Sequence, residues 1–244
     1  MKILFSPSKT MKLKNINFSK NRTINFPDKT HSLVNSLKKL SKSEIEKLFK
    51  IKGQLLEETY NNIQNFDSLD SYEALSLYDG VTFRQLNLNS YSAKDLNYLN
   101  ENLLIFSALY GVLSPNTEIK PYRLDMTINF LEESLYKFWN DKINDFLNAY
   151  IDEIFINLAS KEFSKIIDKK KFKVINIEFR QKVDDKLKNI STEAKKARGM
   201  LLDFMTINNI SDLESIKTFT KEGYQFSESD SNSDTLFFIR KIKL

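Results

Sequence analysis

Three short apolar runs constrain the fold of this chain more than any other feature. Residues 3–5 (Ile-Leu-Phe), 103–106 (Leu-Leu-Ile-Phe) and 154–156 (Ile-Phe-Ile) are uninterrupted, and each is followed by a polar loop. Apolar runs this short, without alternation, suit strands buried on both faces, as in sheets covered by helices. Helical spacing fills the intervals, with Leu33, Leu37 and Leu40, then Ile45, Leu48 and Phe49, then Leu55, Leu56, Tyr60 and Ile63. A longer amphipathic stretch covers residues 134–151. Ser41-x-x-Glu44 and Ser43-x-x-Glu46 are both capping-box patterns, and Lys50-Ile51-Lys52-Gly53 breaks the helix that they open. Residues 12–30 read as irregular. Short helices are expected over 73–78, 95–101 and from 162 to 167.

Toward the C-terminus, residues 172–179 and 187–192 read as a hairpin, and 193–208 and 212–219 as helices. Residues 224–226 and 236–239 close a sheet across a polar linker at 227–234. The alternation predicts an α/β to α+β protein, a single compact domain over residues 1–244 with a mixed central sheet and flanking helices.

Composition narrows the chemistry. There is no cysteine and one histidine, His31, in 244 residues. Disulfides, thiolate metal sites and cysteine nucleophiles are excluded, and zinc or Ser-His-Asp chemistry is not expected. No metal site and no cofactor are assigned. No apolar run approaches the roughly 18 residues of a membrane span. The opening run is too short for a signal peptide, so a cytoplasmic protein with no membrane partner is expected.

The formal charge of +5 is unevenly spread. Residues 1–60 hold 13 Lys/Arg against 5 Asp/Glu, and residues 61–120 hold 3 against 7. A basic first quarter is either a polyanion-binding face or a set of solvated lysines, since 31 of the 37 cations are lysine. That lean makes the six arginines informative: where a point charge serves, the chain uses lysine, so an arginine marks a need for the planar fork. Five glycines are also few, and a glycine in such a chain is expected where a side chain would not fit.

The loops after the three apolar runs carry the unusual polar residues, and in open α/β sheets ligands bind beyond the carboxyl ends of the strands. Ser6, Lys9 and their neighbours in Ser6-Pro7-Ser8-Lys9-Thr10 suit a phosphate or carboxylate, although the loop has no glycine and is not a P-loop. In Tyr110-Gly111-Val112 and Pro121-Tyr122-Arg123-Leu124-Asp125, Arg123 is a candidate phosphate ligand and Tyr110 or Tyr122 a stacking platform. The equal alternative is that an ion pair of Arg123 with Asp125 or Glu162 pins the loop. Asn157 and Ser160 either cap a helix or aim polar groups into the crevice, and Glu162 is the carboxylate to weigh as a general base. Lys195 and Arg198 share a helix face at i and i+3, and Gly199 behind them points to close packing or binding. No catalytic residue is assigned.

Taken together, Met1–Thr10, Tyr110-Gly111-Val112-Leu113 with Pro121-Tyr122-Arg123-Leu124, Tyr136-x-Phe138-Trp139, Asn157-Leu158-Ala159-Ser160-x-Glu162, Ala194-Lys195-Lys196-Ala197-Arg198-Gly199, Gly223-Tyr224 and Phe238-x-Arg240 resemble the YaaA family of bacterial peroxide-stress proteins, in order and along essentially the whole chain. The resemblance implies a protein that limits iron-dependent oxidative damage to DNA. It also implies binding of double-stranded DNA, without sequence preference, by a helix-hairpin-helix near a basic cleft. That element would span residues 41–60, with Lys38, Lys39, Lys47, Lys50, Lys52 and Gly53 at the phosphates and Lys195, Lys196 and Arg198 extending the cleft. Four positions depart from the family's usual residues, with Asp125 for Glu, Thr127 for Gly, Phe163 for Tyr and Gln85 for Gly. Asp125 shortens the reach of its carboxylate, and Phe163 removes a hydroxyl from proton chemistry. The alternative is an enzyme acting on a nucleotide or damaged base, with a nucleotide-like ligand held by Ser6, Lys9, Arg123, Asn157, Ser160 and Glu162. With one histidine, no cysteine and no Glu-x-x-His pattern, direct iron sequestration is not expected.

Overall fold

The three apolar runs come to lie side by side as parallel strands. A computed structural model describes residues 1–242 apart from 17, 19 and 185. In chain order the elements are β1 (Lys2–Phe5), α1 (Pro27–Lys38), α2 (Lys42–Phe49), α3 (Gly53–Gln64), β2 (Tyr72–Glu73), α4 (Ala74–Leu77), α5 (Ala93–Asn102), β3 (Leu103–Ser107), β4 (Gly111–Leu113), β5 (Glu118–Ile119) and α6 (Leu135–Leu147). They continue as β6 (Phe155–Asn157), α7 (Lys161–Ser164), β7 (Val174–Val183), β8 (Lys186–Lys188), α8 (Ser191–Ile207), α9 (Leu213–Lys217), β9 (Tyr224–Asn232) and β10 (Thr235–Lys241).

The main sheet runs β4-β3-β1-β6-β7-β10-β9, and β8 pairs with β7. β3, β1, β6, β7 and β10 are mutually parallel, while β4, β8 and β9 are antiparallel to their neighbours. β1 is central: Ile3 faces Leu103 on one side and Ile156 on the other, and Ile3, Leu4 and Phe5 are at most 1% exposed. Helices α5 and α8 pack on each other, α5 against β1 and β3 and α8 against β7. At the β4 edge, the Trp139 indole of α6 donates to the Ala108 carbonyl at 2.8 Å. The whole is a single compact α/β domain with a mixed sheet.

Several boundaries differ from the sequence reading. α1 starts inside the stretch expected to be irregular, because Pro27 in the first helical turn supplies a preset φ and needs no amide partner. Of the two capping boxes, Ser41 with Glu44 is the one used. The expected helix ending at residue 167 stops as α7 at Ser164. The polar stretch 227–234 is no linker: β9 extends to Asn232 and pairs with β10 through a register shift between Thr235 and Phe237. Its serines and Asp230 bond one another, as Ser227 Oγ does to Asp230 at 2.5 Å, so the strand needs no apolar face. Strand β4 and the β2–β5 ribbon, two or three residues long, are not anticipated by the sequence; Glu73, expected to open a helix, belongs to β2, and α4 starts at Ala74. Residues 191–192, expected in a strand, begin α8.

Helix α8 lies hard against the turn at residues 82–85. A Cβ at Gly199 would stand 2.1 Å from the Thr82 carbonyl oxygen and 2.8 Å from Gln85 Cβ. Gly199→Ala should therefore destabilise the protein, by roughly 2 kcal/mol net in urea unfolding, although alanine is better by about 1 kcal/mol in an unconstrained helix.

Candidate functional site

Strand β1 has its sequence successor β3 on one side and β6 on the other, so the winding of the sheet reverses at the β1–β6 seam. Crevices beyond the carboxyl ends of strands at such reversals are where ligands bind in open α/β sheets. Here the two departing loops are stitched together. Leu158 N donates to the Leu4 carbonyl at 2.9 Å, Ser160 N to Ser6 Oγ at 2.8 Å, and Ser6 Oγ to Ser160 Oγ at 3.2 Å.

A cleft of about 290 Å³ opens over this seam. It brings together Ser6, Lys9, Arg123, Ser160 and Glu162 from the loops, and Lys195 and Arg198 from α8, beside an apolar lining that includes Phe5, Leu158 and Phe163. The other wall, residues 80–83, was not anticipated. Gly80 was its one sequence signal. A Cβ there would meet Ser8 Oγ at 2.4 Å, so the turn is clamped between the β1 loop and α8. Asp79 anchors the same turn, accepting from Arg84 at 2.8 Å and pairing with Lys14 at 3.4 Å; the Arg84 hydrogen bonds hold its carboxyl below the usual range.

Two expected site residues lie elsewhere. Asn157 is buried and spans β6 and β7, donating to Asn176 Oδ1 at 2.9 Å and accepting from Ala159 N at 3.0 Å. The Tyr110 hydroxyl accepts from Lys120 N at 3.0 Å, and its ring meets Tyr122 edge-on, so it does not reach the cleft. Tyr122 does line it. Ser107 Oγ accepts from the amides of Leu109 and Tyr110, which leaves its proton for Tyr122 Oη at 2.7 Å, and the Tyr122 and Tyr78 hydroxyls are hydrogen-bonded at 2.8 Å. Burial pushes the Tyr122 phenol up to about 12. Lys196 pairs with Glu193 at 3.1 Å, outside the cleft lining.

The charges in the cleft are only partly matched. Asp125 pairs with Lys9 at 2.5 Å. Neither ion pair considered for Arg123 forms; its guanidinium makes a single long contact, 3.4 Å, to the Lys9 carbonyl. Arg198 Nε is buried with no hydrogen-bond partner, and burial pushes its guanidinium pKa down. Among the other arginines, Arg84, Arg180 and Arg240 pair with carboxylates, and Arg22 reaches Ser114 Oγ at 3.3 Å. The Glu162 carboxyl accepts from Met126 N at 3.1 Å, and burial first, then the neighbouring Asp125 charge, raises its pKa. Such a cleft can hold an anion and offers one carboxyl that keeps its proton more tightly than an exposed glutamate does. Among the described residues, no group of three or more His, Cys, Asp or Glu is placed to hold a metal ion, and no helix is long and apolar enough to cross a membrane.

The fold and cleft define an α/β protein with a ligand crevice at a sheet reversal. Residues 1–230 match the sequence model of the family described as peroxide stress protein YaaA. The chain is 45% identical to a UPF0246 protein of Fusobacterium nucleatum over 248 residues, covering 99% of both. It is 37% identical over 256 residues to a UPF0246 protein of Legionella pneumophila (98% and 99% covered) and 33% over 248 residues to one of Rickettsia felis (99% and 100%). The chain belongs to the YaaA peroxide-stress family.

A raised glutamate pKa has a definite stability signature. Below the ordinary value near 4.5, Glu162 is protonated whether folded or unfolded; above it, the folded state alone resists ionisation and loses stability as pH rises. Glu162→Gln, which keeps an acceptor for Met126 N, should melt at a higher temperature than wild type at pH 7, with the gap closing toward pH 4.

Proposed function

We propose that this chain serves in peroxide stress by binding double-stranded DNA in the cytoplasm, without sequence preference, so as to limit iron-dependent damage to it. The carrying observation is the turn between α2 and α3. α3 starts at Gly53 with φ +57°, nothing within 4 Å of where its Cβ would be, and no side chain capping the helix. Its free amides therefore face outward, an arrangement suited to phosphate. Lys39, Lys47, Lys50 and Lys52 are exposed near this turn and have no ion-pair partner among the described residues, whereas Lys38 is tied to Asp67 at 2.6 Å and Lys42 to Glu57. Lys195, exposed at the cleft, extends the cationic surface. Contacts of this kind read phosphate spacing and not bases. The iron effect is assigned to covering the DNA and not to storing the metal, in keeping with a chain of one histidine and no cysteine.

The test is fluorescence anisotropy with a labelled duplex. Four phosphate contacts predict an affinity that falls roughly a hundredfold between about 50 and 200 mM salt. Lys50→Glu/Lys52→Glu should abolish binding at the higher salt while leaving the fold intact by circular dichroism. Salt-independent binding, or full binding by the double variant, would remove the hairpin from the interface.

A further inference from the structure

We infer that the cleft over the β1–β6 seam is a pocket for a nucleoside monophosphate, with Arg198 and Arg123 as the ligands of its phosphate. This site is distinct from the α2–α3 hairpin, to which neither arginine belongs, although Lys195 lines the cleft and also belongs to the proposed duplex surface.

The argument starts from charge. In a chain that uses lysine for 31 of 37 cations, an arginine is a choice for the bidentate fork. Two of the six line this one cleft, and neither has a carboxylate partner among the described residues. A guanidinium withdrawn from water without a partner is costly, and such groups are normally paired. Every acidic group facing Arg198 or Arg123 is already engaged. Glu178 is bound to Arg180 at 2.7 Å, Asp125 to Lys9 at 2.5 Å, and Glu162 accepts from a backbone amide. With exposed Lys195 one turn before Arg198 on the same face, the cleft has cations in excess of acids. The missing member is an anion supplied from outside, and the planar fork fits phosphate oxygens two at a time.

The rest of the lining says what the anion is attached to. Inorganic phosphate would leave most of a 290 Å³ cleft unfilled. That volume lies near the lower end of sites for small organic ligands, about 300 Å³ upward. Phe5, Val81, Leu158 and Phe163 supply an apolar surface, and Tyr122 an aromatic ring, for a flat heterocycle. Phe163 in place of a tyrosine keeps that surface free of a hydroxyl. The Ser6 and Ser160 hydroxyls also line the cleft, and their oxygens are of the kind that meets a sugar.

The experiment is calorimetric titration of the full chain with the four nucleoside 5′-monophosphates, the parent nucleosides and inorganic phosphate. At least one monophosphate should bind about tenfold or more tightly than both its nucleoside and phosphate alone. Arg198→Gln should weaken it by about tenfold or more, with a melting temperature no lower than wild type, since the change removes an unpaired buried charge. Lys195→Gln, at an exposed position that cannot unfold the protein, should weaken it severalfold, and Arg123→Gln likewise. Lys50→Glu/Lys52→Glu should bind the nucleotide as wild type does, whatever happens to DNA. The proposal is overturned by four results. These are no monophosphate binding at millimolar concentration, phosphate binding as tightly as the nucleotide, undiminished binding in the Lys195 and Arg123 variants, or loss of nucleotide binding in the hairpin variant.

Discussion

The contact between Gly199 and the Thr82 carbonyl is what allows a cleft to exist. α8 is the longest helix among the described residues, and it sits on the 82–85 turn at a distance that no other residue type at position 199 would allow. One turn later, Asp203, 3% exposed, accepts from Asn87 N at 3.0 Å, the Tyr91 hydroxyl at 2.8 Å and Lys221 Nζ at 2.6 Å. The helix is thus fastened at two points to the segment that forms the cleft's far wall. Its preceding turn, carrying Lys195 and Arg198, is held over the ends of β1 and β6 as a result. Gly80 does for the opposite side of the wall what Gly199 does for the helix, fitting the turn against Ser8.

The two cationic regions differ in kind. On the hairpin, Lys47, Lys50 and Lys52 stand in water with no ion-pair partner among the described residues, and their long chains and point charges suit a repeating, solvated polyanion. In the cleft, one lysine is spent on Asp125, while Arg198 Nε is withdrawn from water and Arg123 has no carboxylate partner among the described residues. A hydrated surface tolerates many ligand geometries, whereas a half-buried guanidinium accepts few.

The strand skeleton was legible because buried parallel strands must be apolar on both faces, which made residues 3–5, 103–106 and 154–156 conspicuous. The pairing of Lys195 with Arg198 on one face followed from helical spacing, and the scarcity of glycine pointed correctly to close approach at position 199. What local pattern does not carry is the direction of a side chain at a strand end. Asn157 ends β6 and Tyr110 stands in the turn after β3, yet one turns to cross-link β6 and β7 and the other to support the loop through Lys120. The wall at 80–83 escaped for a related reason. It has no charged residue, and contacts with Ser8 and α8, far away in sequence, decide its position. Strand β9 was misread because hydroxyls and carboxylates that bond among themselves can form a strand with no apolar signal.

That same serine-rich strand has a bearing on how the molecule behaves in company. A sheet exposes unpaired amides and carbonyls at its two margins, and a flat margin invites another chain to add a strand. Here β9 ends one margin with Glu228 and Asp230 exposed and a bulge that bends it. At the other margin β4 is only three residues long, and the Asn25 side chain occupies the Val112 carbonyl at 2.8 Å. At both of these margins another chain finds few free backbone groups with which to pair.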